Sequence, residues 1–120
     1  YYIQRVRYLD GKALILDINM FLKSQVPGLT PEIAEGSIYD YIEKELGMQI
    51  ITSKRTMTVE HTTQVDEKYL ELKDYNCLAV VTNQTYNADG IMFEYTQSRH
   101  RPDFFRFQET ATRKHRQETQ

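Results

Sequence analysis

Two short turn sequences constrain this chain more than any other feature. Tyr8-Leu9-Asp10-Gly11 and Asn87-Ala88-Asp89-Gly90 each carry an Asp-Gly pair, and each is flanked by runs of β-branched and aromatic residues. Glycine reaches positive φ without steric cost, so such tetrapeptides close antiparallel hairpins. A chain that must form two hairpins is committed to an antiparallel sheet. The first hairpin is predicted to join a strand over Tyr1–Tyr8 to one over Ala13–Phe21, and the second to join Cys77–Tyr86 to Ile91–His100. A further strand is expected over Gln49–Glu60, and a last one from Phe104 to about Thr110.

Between the strands lie helix signals. Thr30-Pro31 places an N-cap residue before a proline at the first helical position. Gly36-Ser37 opens a helix over Ile38–Leu46, which Gly47 stops. Asp66–Leu72 makes about two turns, with Tyr69, Leu70 and Leu72 expected to face inward. Hairpins interrupted by short helices define an α+β domain, an antiparallel sheet with flanking helices. At 120 residues the chain is one domain with one core, expected over residues 1–112 and followed by a polar tail at 113–120.

Fifteen Lys and Arg against seventeen Asp and Glu give a net charge of −2. Domains that grip nucleic acid carry a basic excess, so direct DNA contact by this segment is not expected. A single cysteine, Cys77, cannot form an internal disulfide, which fits a reducing, cytoplasmic setting. No apolar run reaches the length of a membrane span.

The hairpins also sort the polar residues. A three-residue loop Leu9-Asp10-Gly11 puts Arg5 opposite Ile15, Arg7 opposite Ala13 and Ile3 opposite Asp17. Side chains alternate with period two, so Arg5, Arg7 and Asp17 share one face while Val6, Leu14, Leu16 and Ile18 share the other. A two-residue turn shifts this register by one and breaks the sorting. In the second hairpin Glu94 is placed opposite Gln84. Glu94, Thr96, Ser98 and His100 then lie on one face, with Phe93 and Tyr95 on the other beside Ala79 and Val81. Arginine offers phosphate a planar fork of donors, and carboxylates accept from sugar hydroxyls, so a face of this kind suits a phosphorylated sugar. The same alternation is what any half-wet antiparallel sheet shows. Gly36-Ser37 is read first as a plain N-cap, with Asp40 resembling the end of a capping box, and only second as a helix start that receives an anion.

Other features point away from catalysis and metals. His61, His100 and His115 lack metal-ligand spacing, and no Ser-His-Asp order or phosphate-cradling glycine loop is present. Cys77 heads an apolar strand, as a buried inert thiol does. Arg99-His100-Arg101 reads as a solvated strand end.

Five stretches, in order and spacing to about Phe107, carry a family resemblance. They are Arg5-Val6-Arg7-Tyr8-Leu9-Asp10-Gly11-Lys12, Pro27-Gly28-Leu29, Gly36-Ser37-Ile38-Tyr39-Asp40-Tyr41-Ile42, Tyr86–Tyr95 and Arg101–Phe107. Together they resemble the UTRA domain, the ligand-sensing half of HutC-type regulators in the GntR superfamily. The resemblance implies a chorismate-lyase-like fold. It also implies an N-terminal winged helix-turn-helix domain absent from this chain, and a strand or loop ahead of the Arg-x-Arg motif that this chain lacks. It further implies a homodimer that meets operator DNA through the absent domain.

In the family's sugar-phosphate sensors the two arginines hold the phosphate, here Arg5 and Arg7, with Ser37 at the Gly-Ser start. An acidic residue on the second strand matches Asp17, in place of the usual Glu. Glu94 matches the Glu of a Glu-Tyr-Ser stretch, although Thr96 stands where Ser is usual. His100 replaces a Tyr. Within the family the stretches are most similar to repressors of trehalose utilisation, which implies trehalose 6-phosphate as effector. Glucosamine 6-phosphate and N-acetylglucosamine 6-phosphate are the alternatives within the family, and a chorismate-lyase-like enzyme is the alternative of another class. The resemblance implies no cofactor and no catalytic residue.

Overall fold

The computed structural model describes residues 1–113. Five strands form one antiparallel sheet: β1 (Tyr2–Leu9), β2 (Lys12–Phe21), β3 (Ile50–His61), β4 (Cys77–Asn87) and β5 (Met92–His100). Their order across the sheet is β1-β2-β5-β4-β3, so the two hairpins sit side by side and β1 and β3 are the edges. The helices are short: α1 (Pro31–Glu35), α2 (Ile38–Asp40) running into a π-helical turn (Tyr41–Glu45), and α3 (Gln64–Tyr69).

Both hairpin registers differ from the sequence expectation, and for the same reason. The first turn is a two-residue one, Asp10-Gly11, with φ of 52° and 76°. Leu9 therefore pairs with Lys12, and Tyr8 with Ala13. That turn alone puts the arginines on the wrong face, but a bulge at Leu14 restores the parity: Arg7 pairs with Ile15 and Arg5 with Asp17. The arginines and Asp17 thus share a face through a turn plus a bulge, not through a three-residue loop. In the second hairpin Tyr86 pairs with Met92, Phe93 is the extra residue, and Glu94 pairs with Thr85 rather than Gln84. That shift moves Ala79 and Val81 onto the face of Glu94, Ser98 and His100, the reverse of what the simple register gives.

Each face of the sheet has its own apolar cluster. On one face Ala13, Leu16, Leu78 and Val80 pack with Leu70, which follows α3, and with the partly buried Val6, Ile18 and Leu72. On the other, Phe21, Phe93, Val26 and Leu29 pack with Ile42 of the π-helical turn. That second cluster roofs only one end of its face. Gly28 is needed there: its φ is +77°, and a Cβ on it would lie 2.7 Å from the Tyr41 hydroxyl, which donates to the Pro27 carbonyl at 2.7 Å.

Three more expectations are corrected. α3 starts at Gln64 rather than Asp66, because Thr63 and Asp66 form a capping box, and Tyr69 is exposed while Leu70 is buried. The helix expected over Ile38–Leu46 widens into a π turn after Asp40. No strand follows Phe104 among the described residues. Pro102–Phe104 is a 3-10 turn and residues 105–113 have no regular structure. Arg101 fixes that corner, with Nε and Nη2 donating to Asp103 at 2.7 and 3.0 Å and Nη1 to the Glu71 carbonyl at 2.7 Å. Of the polar tail expected at 113–120, only Arg113 falls within the described residues. Among the described residues no helix is long and apolar enough to cross a membrane.

Candidate functional site

The bulged registers align side chains in rows that cross the whole sheet. One row runs Arg5, Asp17, Ser98, Val81, Met57; the next runs Arg7, Ile15, His100, Ala79, Val59. On the other side of the Arg5 row stand Ile3, Asn19, Thr96, Asn83 and Arg55, and beyond them Phe21, Glu94, Thr85 and Ser53. The helices cover the Glu94 end and the segment after Pro102 covers the His100 end. Between them runs a polar trough floored by Asp17, Asn19, Thr96, Ser98 and Asn83.

The residues singled out from the sequence fall into three groups around this trough. Arg7 and Asp17 form a two-pronged ion pair, Nε to Oδ2 at 2.6 Å and Nη2 to Oδ1 at 3.1 Å. The pair is open to solvent, with side-chain exposures of 51% and 18%. His100 belongs with them. Burial pushes its imidazole below the ordinary value, a bond to the Ala79 backbone opposes this, and the Arg7 charge adds to the lowering. Its Nδ1 lies 3.2 Å from the Ser98 carbonyl, and Phe105 meets its ring edge-on at 5.1 Å between centroids.

Glu94 forms the second group. It is 3% exposed, and burial raises its carboxyl above the usual range although hydrogen bonds from Tyr39 and Thr85 pull the other way. The Tyr39 hydroxyl donates to Glu94 Oε1 in a short contact, and burial together with that carboxylate raises the phenol above its ordinary value. Tyr39 is not among the site residues that the sequence singles out. Its place two residues after Ser37, on the first turn of α2, is the signal that points to it.

Arg5 and Ser37 form the third. Arg5 donates from Nη2 to the Ala34 carbonyl at 2.5 Å, three residues before Ser37. The Ser37 hydroxyl accepts from the Asp40 backbone N–H at 3.2 Å, the plain N-cap reading. Arg5 lines a cleft of about 680 Å³ between β1 and α1, whereas Arg7 and His100 line a separate cavity of about 350 Å³. So the structure joins Arg7 to Asp17 directly and sets His100 in the Arg7 row, on the same cavity as Arg7. It sets Arg5 on the same face, directly across from Asp17 and one row from Arg7, and leaves Glu94 and Ser37 at the helical end.

On the opposite face lies an ion cluster that sequence reasoning missed. Arg99 is not a solvated strand end. Its Nε and Nη2 donate to the two oxygens of Asp66, both at 2.9 Å, and Nη1 donates to Glu60 at 3.0 Å. Arg101, also assigned to solvent, is buried. The parity of β5 held the signal for Arg99, since it alternates with Ser98 and His100 and must face the α3 side. Among the described residues no group of three or more His, Cys, Asp or Glu side chains is placed to hold a metal ion.

Comparison with known proteins agrees with this architecture. The UTRA domain family model matches residues 1–106. The HTH-type transcriptional regulator TreR of Bacillus subtilis is 44% identical over 109 residues, covering 91% of this chain and 46% of TreR. GmuR of the same organism is 29% identical over 105 residues, covering 88% of this chain and 44% of its own length. This chain therefore spans about half the length of these relatives. Among solved structures, the effector-binding domain of the B. subtilis trehalose repressor superposes with a TM-score of 0.83 at 42% identity, over 95% of this chain and 79% of that one. A GntR-family regulator from Bacillus cereus superposes at 0.86 with 28% identity, over 93% and 78%. Sequence, register and fold converge, and the chain belongs to the UTRA domain family.

Proposed function

We propose that this chain is the effector-binding domain of a transcription repressor, and that a phosphorylated sugar, trehalose 6-phosphate first among them, occupies the trough. The observation that carries the reading is the open Arg7–Asp17 pair with Arg5 directly across from Asp17, on a sheet face floored with Asn, Ser and Thr side chains. Alternate residues on a strand stand about 6–7 Å apart, so the two guanidinium groups bracket one phosphate once Arg5 turns from the Ala34 carbonyl and Arg7 from Asp17. Ser37 lies beside the Arg5 end and adds a hydroxyl donor. Asp17 and the buried Glu94 accept from sugar hydroxyls, and His100 offers a ring nitrogen beside Arg7. The similarity to TreR favours trehalose 6-phosphate over glucosamine 6-phosphate and N-acetylglucosamine 6-phosphate, which the same arginines suit.

The trough offers recognition groups rather than a reaction centre, so the domain acts as a sensor and not as an enzyme. Its output is a difference in binding free energy between two arrangements of the regulator. The ligand touches β1, β2, β5 and the start of α2 together, and so favours one disposition of strand and helix. In a cytoplasmic homodimer that disposition passes to N-terminal DNA-binding domains on two operator half-sites. A coupling of about 1–3 kcal/mol changes operator affinity about 5- to 150-fold. The test is operator binding by the full-length regulator with and without trehalose 6-phosphate. Release at saturating ligand is expected; unchanged operator affinity, with ligand bound to this domain, overturns the sensor reading.

A further inference from the structure

Arg55 is a charged side chain of the trough face to which the sugar-phosphate reading gives no part. It stands on edge strand β3, at the far end of the row that crosses Asn19, Thr96 and Asn83. Its Nε donates to Asn83 Oδ1 at 3.2 Å, which fixes the plane of the guanidinium. Its two terminal nitrogens have no protein acceptor among the described residues. Arg55 and Arg7 nevertheless line the same cavity of about 350 Å³, which also holds Ser98, His100 and the ring of Phe105.

The two guanidinium groups come from opposite edges of the sheet. β1 and β3 are four strand spacings apart, about 19 Å at 4.8 Å each. Both side chains reach inward from these edges into the one cavity, so a ligand touching both lies along its floor from the β1 side to the β3 side. The wall between them offers the rings of Phe104, Phe105 and Phe107 to a sugar's C–H face and Ser98 and His100 to its hydroxyls, with Thr96 and Asn83 one row further along the same sheet face.

We propose that Arg55, oriented by Asn83, binds the second ring of a phosphorylated disaccharide and makes the site select disaccharide phosphates over monosaccharide phosphates. This rests on the sugar-phosphate reading of the trough. The phosphate is held at the Arg5/Arg7 end, the first ring lies over Asp17 and Ser98, and the second ring's hydroxyls accept from the free terminal nitrogens of Arg55. A monosaccharide phosphate anchored by the same arginines stops short of β3.

The test is a calorimetric titration of the chain and of its Arg55→Ala and Arg55→Lys variants with trehalose 6-phosphate, glucose 6-phosphate and inorganic phosphate. Arg55 is exposed, so both variants are expected to fold as the parent does. Arg55→Ala should lose about 10- to 150-fold in affinity for trehalose 6-phosphate, the cost of hydrogen bonds from a charged donor, and remain within about twofold for the other two. Arg55→Lys keeps the charge but not the fork, and should recover only part of the loss. An unchanged affinity for trehalose 6-phosphate overturns the proposal. Equal losses for all three ligands also overturn it, because they make Arg55 a source of general positive potential. If the parent chain binds neither sugar phosphate, the function proposed for the trough fails first, and that pattern is distinct from the other two.

Discussion

The two faces of the sheet carry the same chemical pair in opposite settings. On the trough face Arg7 grips Asp17 with both side chains open to water, at 51% and 18% exposure. On the α3 face Arg99 grips Asp66 at 6% and 0%, with Glu60 as a third partner. An exposed pair contributes about 0–1 kcal/mol, because water solvates the separated ions nearly as well. A buried pair cannot be opened so cheaply, since removing one partner strands a charge away from solvent. The first pair can therefore exchange partners with an anion, while the second fastens α3 to β5. Burial, not residue type, separates a pair that can open from one that fastens the fold.

The largest effect should come from the buried side. Asp66→Ala leaves Arg99 with the half-exposed Glu60 as its one carboxylate, beside Gln97, and also removes the capping box at Thr63, so unfolding free energy should fall by about 3–5 kcal/mol in a urea titration. The Asp66 carboxyl gives this a pH signature. Burial alone would raise it, but the hydrogen bonds from Arg99 and Thr63 outweigh burial and hold it below the ordinary value of 3.8. A depressed carboxylate stabilises the fold above its unfolded pKa, and that stability is lost as pH falls through the lower folded value. The parent should thus lose stability below the usual carboxylate range, and Asp66→Ala should lack that component.

The exposed side should respond in the opposite sense. Arg7→Ala or Arg5→Ala should change unfolding free energy by less than about 1 kcal/mol yet weaken trehalose 6-phosphate binding by about 1.5–3 kcal/mol each. A large stability loss in Arg7→Ala with unchanged ligand affinity would erase the contrast between the faces.

The smallest effect concerns Glu94, a carboxylate of the trough region that is buried among hydroxyl partners rather than cationic ones. Its raised pKa means that ionisation costs stability as pH rises above the usual Glu range. Glu94→Gln should therefore stabilise the domain at neutral pH by about 0.5–2 kcal/mol while weakening the sugar complex, a trade of stability for function. Thermal melts at neutral pH check the first half and calorimetry the second.

The same contrast marks what could be seen in the sequence. Both hairpins and the helix starts at Thr30 and Ser37 were legible, because turn chemistry is local; Arg5, Arg7 and Asp17 share a face as expected, but only because the bulge at Leu14 offsets the two-residue turn. The registers were not, because the bulges at Leu14 and Phe93 add one residue without a turn residue to announce them. The pairing of Arg99 with Asp66 spans 33 positions and is fixed only once α3 lies across β5. The 3-10 corner after Arg101 likewise depends on Glu71, 30 positions earlier.

If the open face, and not the closed one, receives a phosphorylated sugar, the phosphate itself must carry much of the affinity. The most direct measurement is a calorimetric comparison of trehalose 6-phosphate with trehalose on this domain. Removing the phosphate leaves the Arg5/Arg7 pair without its anion, so trehalose should bind at least about 100-fold more weakly. Equal affinity for the two would contradict this, since the arginines of β1 would then be ordinary solvated strand residues.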